Sequence, residues 1–353
     1  MKILVLTLIT NGPDPVTGRT PTPNARLHRV VDNAVLAEEL GFDGYAVGER
    51  HERPFLSSAP PVVLSHIAAR TSRITLFTGV TTLSLLDPVR AYEDYATLDQ
   101  LADGRLELII GKGNGAAQAQ LFHVTTDDQW DRNAEGYELF RRLWREESTT
   151  WEGRYRPSLT DAETWPPPRQ HPIRVWHGSA TSKESVEVAA RYGDPLFSAN
   201  VTNPIEPYAE LIAHYRERWA AHGHDPADAL VGAGTAAFHI APTSQQAIDE
   251  SFPSVAAAMN RIGRERGWSP MTRADYEAAA ALRGANFVGS PQQVIDKILF
   301  QHEIFRHDRF LLQFTVGALP HEKVMRSIEL FATEVAPEVR GELARRASAP
   351  VSP

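Results

Sequence analysis

The chain contains no cysteine, and this absence excludes several kinds of chemistry. Disulfide bonds, a thiolate nucleophile and a zinc ion held by cysteine are all ruled out. Long apolar runs are absent too, since none approaches the roughly 18 residues that a membrane-spanning helix needs. The apolar start at residues 3 to 9 leads into Asn11, Gly12 and Pro13 instead of a secretory cleavage site. We therefore expect a cytoplasmic protein without a membrane partner.

Clusters of positive charge are also missing from the chain. The net charge is -8, and no segment is rich in lysine and arginine. Nucleic-acid binding requires a basic surface, so we expect no nucleic-acid partner, and any bound anion must be held by a local site. The length of 353 residues lies within the range of one large α/β barrel.

Short apolar segments alternate with helical patterns along the whole chain. Segments of this kind are typical of strands that are covered on both faces. We predict eight strands, at residues 3 to 8, 43 to 47, 74 to 79, 106 to 110, 173 to 176, 196 to 199, part of 231 to 240, and 310 to 314. Eight strands joined by crossover helices indicate an α/β fold, a (β/α)8 TIM barrel.

Two long insertions follow predicted strands, at about residues 112 to 172 and 242 to 290. We predict a helix at 134 to 144 and a hairpin around 151 to 155 in the first, and helices near 254 to 266 and 272 to 283 in the second. Loops after barrel strands surround the catalytic mouth, so both insertions should cover it. We predict one barrel domain over residues 1 to 340 and a C-terminal tail over 341 to 353, frayed from Arg345.

Two turns rich in glycine or hydroxyl groups follow the fourth and fifth predicted strands. The first contains Gly111, Lys112, Gly113 and Gly115, and the second contains Gly178, Ser179, Thr181 and Ser182 before a helix. Glycine lets backbone N–H groups approach an anion, lysine adds charge, and a helix N-terminus attracts a phosphate. The two turns together predict a phosphate site. Ordinary helix capping by Ser179 or Ser182 is the alternative for the second turn.

A run of charged side chains follows the second predicted strand. It consists of Glu49, Arg50, His51, Glu52 and Arg53. A run of this kind at a strand end indicates a cleft, where His51 could act as a general base or donate to a developing anion. A solvated salt-bridge cluster is the alternative. One histidine with flanking carboxylates does not define a metal site, so we expect no metal.

Five blocks of the sequence resemble the bacterial luciferase-like monooxygenases, a family of flavin-dependent (β/α)8 barrels, in the family's order. The blocks are GFDGYAVGERH (41 to 51), IAARTSRITLFTGV (67 to 80), DPVRAYEDYATLDQLADGRLELIIGKG (87 to 113), GSATSKESVEVAARYG (178 to 193) and GSPQQVIDKI (289 to 298). The closing segment from 311 to 340 resembles the family's last strand and helix. The resemblance covers nearly the whole chain.

The resemblance assigns cofactor contacts to three regions. It implies that the FMN phosphate lies near Lys112 and the turn of Gly178, Ser179, Thr181 and Ser182. The isoalloxazine ring would be bordered by Thr78, Gly79, Val80 and Thr81, where the family often has a strained peptide bond, with Ser58 and Ala59 beside it. The family's cysteine near the flavin is absent. Lys112 stands where arginine is common, which keeps the charge and loses bidentate geometry.

The catalytic segment departs from the family pattern. Members commonly have Glu-His-His after the second strand, and this chain has Glu49, Arg50 and His51. The first histidine of the pair is the usual candidate base. His51 therefore takes over that role, or Arg50 binds an anionic substrate or cofactor.

The resemblance implies a flavin-dependent oxidoreductase. We expect a two-component monooxygenase in which reduced FMN, supplied by a separate NAD(P)H:flavin reductase, and O2 oxidise a small organic substrate. An F420-dependent hydride-transfer enzyme of the same fold and a non-catalytic flavin-binding barrel are alternatives. A Rossmann dinucleotide site at residues 111 to 115 is another, although the third glycine of the fingerprint is missing.

The early helices carry more apolar and small residues than one face needs. Val31 and Val35 flank the main apolar row of the first helix, and Ile67, Ala68 and Ala69 are contiguous in the second. A second apolar face in the outer ring of a barrel needs cover from another subunit. We predict a homodimer with these helices at its two-fold axis.

Overall fold

The computed structural model describes residues 1–113, 116–199, 203–314 and 316–348. Its eight barrel strands are β1 Lys2–Thr7, β2 Gly44–Val47, β3 Thr75–Thr78, β4 Leu106–Gly111, β5 Arg174–Ser179, β6 Leu196–Ser198, β7 Val231–Gly234 and β8 Arg309–Gln313. All are parallel, in the order β3-β2-β1-β8-β7-β6-β5-β4, and β3 also pairs with β4. This last pairing closes the sheet and confirms the predicted (β/α)8 barrel.

Helices surround the barrel and fill the insertions. They are α1 Pro23–Glu39, α2 Pro60–Ala68, α3 Pro88–Leu101, α4 Ala116–Leu121, α5 Gln129–Leu143, α6 Lys183–Tyr192, α7 Tyr208–Ala221, α8 Ser244–Arg266, α9 Arg273–Ala280, α10 Pro291–Phe305, α11 His321–Leu330 and α12 Ala336–Ser348. Several begin as their sequences predict, because a side chain caps the first turn and proline follows. Asp87 accepts from the backbone N–H groups of Val89 and Arg90, and Pro88 comes next.

Alternating residues of the strands build two cores. The inward set fills the barrel and consists of Leu4, Leu6, Ala46, Phe77, Ile109, Trp176, Phe197 and Leu311. The outward set packs against the ring of helices. A period of two along each strand produces this division, as expected for a closed barrel.

The N-terminal end of the barrel is closed by a buried ion pair. Two guanidinium nitrogens of Arg309 lie 2.9 Å from the two carboxylate oxygens of Glu107. Trp176 donates its indole N–H to the same carboxylate at 2.7 Å. The guanidinium group also lies over Trp176 and Phe77, at 4.6 and 5.2 Å from the ring centres. The open end is therefore the carboxyl end of the strands, where barrel enzymes carry their sites.

The first insertion differs from its prediction in detail. α5 begins at Gln129, ahead of the predicted start at 134. The hairpin pairs Thr149–Trp151 with Leu159–Ala162 in antiparallel register, so it extends on both sides of the predicted range of 151 to 155. Gly115, assigned to the first anion turn, lies outside the described residues. The Rossmann alternative is wrong, because Gly111 ends the fourth strand of a closed barrel.

The structure differs from the prediction in and just before the second insertion. The predicted strand at 231 to 240 divides into β7 and a separate strand Phe238–Ile240, which pairs with Phe287–Gly289. α8 starts at Ser244 rather than 254, because Thr243 caps its first turn and Pro253 is accommodated inside the helix. α9 ends at Ala280, short of the predicted 283.

The C-terminal segment is more regular than predicted. α12 continues to Ser348, and both Arg345 and Arg346 form ion pairs with Glu342. The predicted fraying from Arg345 is therefore wrong up to Ser348, and residues 349–353 lie outside the described part of the chain. Across the described residues, none of the helices combines the length and apolar character that crossing a membrane requires.

Candidate active site

The carboxyl ends of β3, β4 and β5 surround the side chain of Val80. The peptide bond between Gly79 and Val80 is cis. A Cβ atom at Gly178 would lie 3.0 Å from Val80 Cγ1, and one at Gly111 would lie 3.1 Å from Val80 Cγ2. Val80 also packs on the apolar core inside the barrel. The two glycines therefore make room for Val80, a reason different from the predicted approach to a phosphate, and the valine forms an apolar floor of the mouth.

A buried carboxylate holds the histidine that follows β2. Glu49 is 5% exposed, and its Oε1 lies 2.9 Å from Nε2 of His51. Its Oε2 accepts from the backbone N–H of Thr82 at 3.0 Å. The His51 ring packs edge-on against Phe122, with 4.6 Å between centres. This pairing fixes the imidazole and leaves Nδ1 as the nitrogen that Glu49 does not hold, as a general base requires.

Arg50 points to different partners from its two neighbours. Its guanidinium group pairs with Glu52 and lies 4.9 Å from the centre of the Phe55 ring. The salt-bridge alternative therefore describes Arg50 and Glu52, whereas Glu49 and His51 form a separate buried pair. An anion bound by Arg50, as predicted, would have to compete with Glu52 for its guanidinium group.

Lys112 follows β4 and contacts an aromatic ring of the first insertion. Its ammonium nitrogen lies 5.1 Å from the centre of the Trp130 ring, and its carbonyl accepts from Ser84 Oγ at 2.6 Å. Among the described residues no carboxylate forms an ion pair with it. Trp130 was not predicted as a neighbour, because no sequence period relates a residue after β4 to one in α5.

The turn after β5 uses its hydroxyl groups internally. Ser182 accepts from the backbone N–H of Ser185 at 3.2 Å and donates to Glu184 at 2.8 Å. Ser179 Oγ accepts from the N–H of Ser182 and donates to the Ser182 carbonyl. The capping alternative is confirmed for Ser182, the N-cap of α6, whereas Ser179 bonds within the turn and Thr181 is exposed. What α6 still offers an anion is the positive end of its dipole.

A buried polar cluster anchors α5 and α6 behind this turn. Asp194 lies 3.0 Å from a guanidinium nitrogen of Arg141 and 3.2 Å from Nε2 of His177, and it accepts from the Tyr137 hydroxyl. Burial and then Asp194 raise the pKa of Tyr137, so this phenol remains a donor. Sequence analysis did not find the cluster, because its members come from distant segments.

The side chains of four further predicted cofactor-contact residues have other surroundings. Thr78 Oγ1 bonds to the backbone of Ile109, accepting at 3.1 Å, and Thr81 donates to the hydroxyl of Tyr95 at 2.7 Å. Ser58 and Ala59 are exposed and line a groove of about 430 Å³ along α2 and α3, which Glu49 also lines. Only the backbones of Thr78 and Thr81 adjoin the Gly79–Val80 segment.

No group of three or more metal-ligating side chains occurs within the described parts of the chain.

A family model described as luciferase-like monooxygenase matches residues 1–307. The chain belongs to this family. A luciferase-like relative, the 4-hydroxyprotoasukamycin monooxygenase of Streptomyces nodosus subsp. asukaensis, is 28% identical over 91% of this chain and 89% of its own. The FMNH2-dependent dimethylsulfone monooxygenase of Pseudomonas fluorescens (strain Pf0-1) is 25% identical over 75% and 76%.

The fold is shared with solved luciferase-like structures. A monooxygenase from Streptomyces bottropensis superposes with a TM-score of 0.83 at 26% identity, covering 96% of this chain and 99% of that one. F420-dependent enzymes are also similar to this chain. The F420-dependent glucose-6-phosphate dehydrogenase of Kineococcus radiotolerans is 29% identical over 83% of this chain and 92% of its own.

Proposed function

We propose that this luciferase-like protein is a two-component monooxygenase that uses reduced FMN and O2 to oxidise a small organic substrate. The observation that carries the proposal is the buried Glu49–His51 pair at the same barrel mouth as Val80 and Lys112. The FMNH2-dependent relative supports the choice of cofactor.

The residues at the mouth fit FMN in shape and charge. Val80, seated between Gly111 and Gly178, offers an apolar surface to a flat ring system. Lys112 and the N-terminus of α6 offer positive potential to a phosphate. In this arrangement Lys112 and the first turn of α6 would hold the phosphate, and Gly79 and Val80 would border the ring. Bound flavin supplies the redox chemistry with O2, and the protein positions it.

The chain's own contribution is a positioned proton acceptor. Glu49 fixes His51 through Nε2 and stabilises the imidazolium that forms when Nδ1 takes up a proton. Phe122 covers one edge of the ring and limits the access of water. His51 would therefore accept a proton from the substrate and return it later in the cycle.

The proposal includes partners and an assembly. A separate NAD(P)H:flavin reductase would supply reduced FMN in the cytoplasm. We also propose a homodimer through α2 and α3, because Val62 and Leu101 are 70% and 62% exposed there. Val31, Ile67 and Ala68, which the sequence assigned to this interface, are instead buried within one subunit. Light scattering of the wild type and of a V62D/L101D double variant tests this point, and a wild-type monomer would refute it.

A second candidate function is F420-dependent hydride transfer, which the F420-dependent relative favours. Lys112 and the N-terminus of α6 would serve either cofactor. The test is to titrate the protein with FMN and with F420, and then to measure oxygen uptake with reduced FMN. Tight FMN binding with substrate-dependent oxygen uptake supports the monooxygenase. F420 binding without oxygen uptake supports the second candidate, and FMN binding with no reaction supports a non-catalytic barrel.

A further inference from the structure

A second polar cavity opens on the other side of the barrel, next to β1 and β8. It has a volume of about 550 Å³ and lies between the first turns of α1 and α11. In the closed strand order, β1 and β8 are opposite β4 and β5, which carry Lys112 and the Ser179 turn. The ionisable side chains that line the cavity are Arg19, Arg26, Arg29, His321, Asp14 and Glu322. Basic groups outnumber the carboxylates.

Arg26 is a buried cation that has no counter-ion among the described residues. It is 8% exposed, and its Nε donates to the Thr10 carbonyl at 3.0 Å. No carboxylate in the described ranges forms an ion pair with its guanidinium group. Burial lowers the pKa of Arg26, but arginine stays protonated in proteins. A buried charge is unfavourable without a counter-ion, so an anion bound in the cavity would stabilise Arg26.

A second buried polar group on α1 faces the same cavity. Asn33 is 4% exposed, and its Oδ1 has no hydrogen-bond partner among the described residues. Rotating the side-chain amide of Asn33 by half a turn would point its NH2 group into the cavity, where it could donate to a bound oxyanion. The neighbouring Tyr45 provides no counter-charge, because burial raises the pKa of its hydroxyl.

The N-terminus of α11 adds positive potential. This helix has ten residues, and Pro320 at its cap position provides no capping side chain. The first N–H groups of such a helix, together with its dipole, favour an anion. His321 at the first position lines the cavity with Arg29 and Arg26. Burial lowers the pKa of His321 and the two arginines lower it further, so the positive potential comes from the arginines and the helix, not from this imidazole.

The two carboxylates that line the cavity, Asp14 and Glu322, do not pair with its arginines. Asp14 accepts from the backbone N–H groups of Val16 and Thr17, at 2.8 and 2.9 Å, which commits its Oδ1 to its own turn. Glu322 is exposed to solvent. Neither forms an ion pair with Arg26 or Arg29 in the described part of the structure.

We propose that this cavity is a binding site for the oxyanion group of a small organic molecule, a carboxylate or a phosphate, held by Arg26, Arg29 and the N-terminus of α11. The volume exceeds that of a bare ion, so the remainder of the molecule occupies the space between the two helices. The inference does not depend on which cofactor the family site takes, because it concerns the opposite side of the barrel.

The test is isothermal titration of the full chain with inorganic phosphate and, separately, with acetate. Arg29→Gln and Arg26→Met should weaken the binding of at least one of these anions by about tenfold or more, since each loses a charge-assisted contact. Arg326→Gln is the matched control, because this exposed arginine lies on α11 and does not line the cavity. It should bind like the wild type. Arg29 is half-buried, so Arg29→Gln keeps the test valid if Arg26→Met fails to fold.

Lys112→Ala separates this site from the proposed flavin site. Anion binding that persists in Lys112→Ala and is lost in Arg29→Gln supports the inference. Binding lost only in Lys112→Ala would place the anion at the flavin side and overturn it. Binding that is equal in all variants, or absent up to about 10 mM of either anion, would also overturn it. Because the readout is anion binding, the result is independent of monooxygenase activity.

Discussion

The two ends of the barrel use similar residues for different purposes. At the N-terminal end, the carboxylate of Glu107 is satisfied by two contacts from Arg309 and one from Trp176. At the mouth, Glu49 accepts from Thr82 and holds Nε2 of His51, which leaves Nδ1 of this histidine outside the pair. A carboxylate bonded only to structural partners contributes to stability, whereas one that holds a histidine by a single nitrogen leaves the other nitrogen for chemistry. Substitutions at the two ends should therefore change different measurements.

The largest expected effect is at the closed end. Glu107→Gln leaves Arg309 buried without its counter-ion, and we expect the free energy of unfolding to fall by about 3–5 kcal/mol. Denaturant titration measures it. Glu342→Gln on α12 is the control, since its ion pairs are near the surface and its loss should change stability little. Equal losses in the two variants would contradict the assignment of the closed end to stability.

The next effect is on turnover at the mouth. His51→Ala removes the proposed base, and we expect turnover with saturating reduced FMN to fall about 100-fold or more. FMN affinity and the free energy of unfolding should change little. His66→Ala is a matched control, because this histidine is exposed on α2. If His51→Ala keeps wild-type turnover, the histidine has only a structural role.

A smaller effect is expected for cofactor affinity. Lys112→Ala removes a charge-assisted contact to the phosphate, which contributes roughly 1.5–3 kcal/mol, or about 10- to 100-fold in the dissociation constant of FMN. Lys2→Ala, an exposed lysine at the closed end, serves as the control. Unchanged FMN affinity in Lys112→Ala would remove this lysine from the site and leave it as a partner of Trp130 alone.

The two ends also differ in how much of them the sequence predicts. The barrel was predictable because buried strands form short apolar runs bounded by breakers, and Glu49 and His51 follow such a run directly. The ion pair at the closed end was not predictable, because Glu107 and Arg309 are far apart in sequence. The contact between Lys112 and Trp130 was not predictable either, because the two residues belong to different elements. Gly111 and Gly178 were recognised, but their contact with Val80 depends on how three strands meet.

Helix boundaries were less predictable than strands. The helix predicted near 254 to 266 is the second half of α8, which starts at Ser244 and passes through Pro253. Proline lacks one N–H donor and disturbs one turn, and the contacts of the rest of α8 outweigh this local loss. Val31 and Ile67 were assigned to a subunit interface, although neighbouring elements of one subunit bury both. Burial by tertiary packing has no signature in a single helix pattern.

The smallest expected effect is the response of the closed end to acid. His302 is half-buried on α10, with its ring 5.2 Å from that of the buried His307. Burial, and then the charge of Arg306, lowers the pKa of His302 to about 4 from an ordinary value of 6.5. The folded state therefore binds this proton less readily than the unfolded chain does. Its contribution to stability is complete above pH 6.5 and is lost as the pH falls through about 4.

We therefore expect the free energy of unfolding to decline less steeply between pH 6.5 and 4 in His302→Gln than in the wild type. Denaturant titrations at several pH values across this window measure the difference between the two slopes. His214→Gln on α7 is the control for replacing a histidine on a helix of the outer ring. Parallel slopes for His302→Gln and the wild type would show that His302 takes up its proton equally in both states, and the acid response of this end would then have to come from His307.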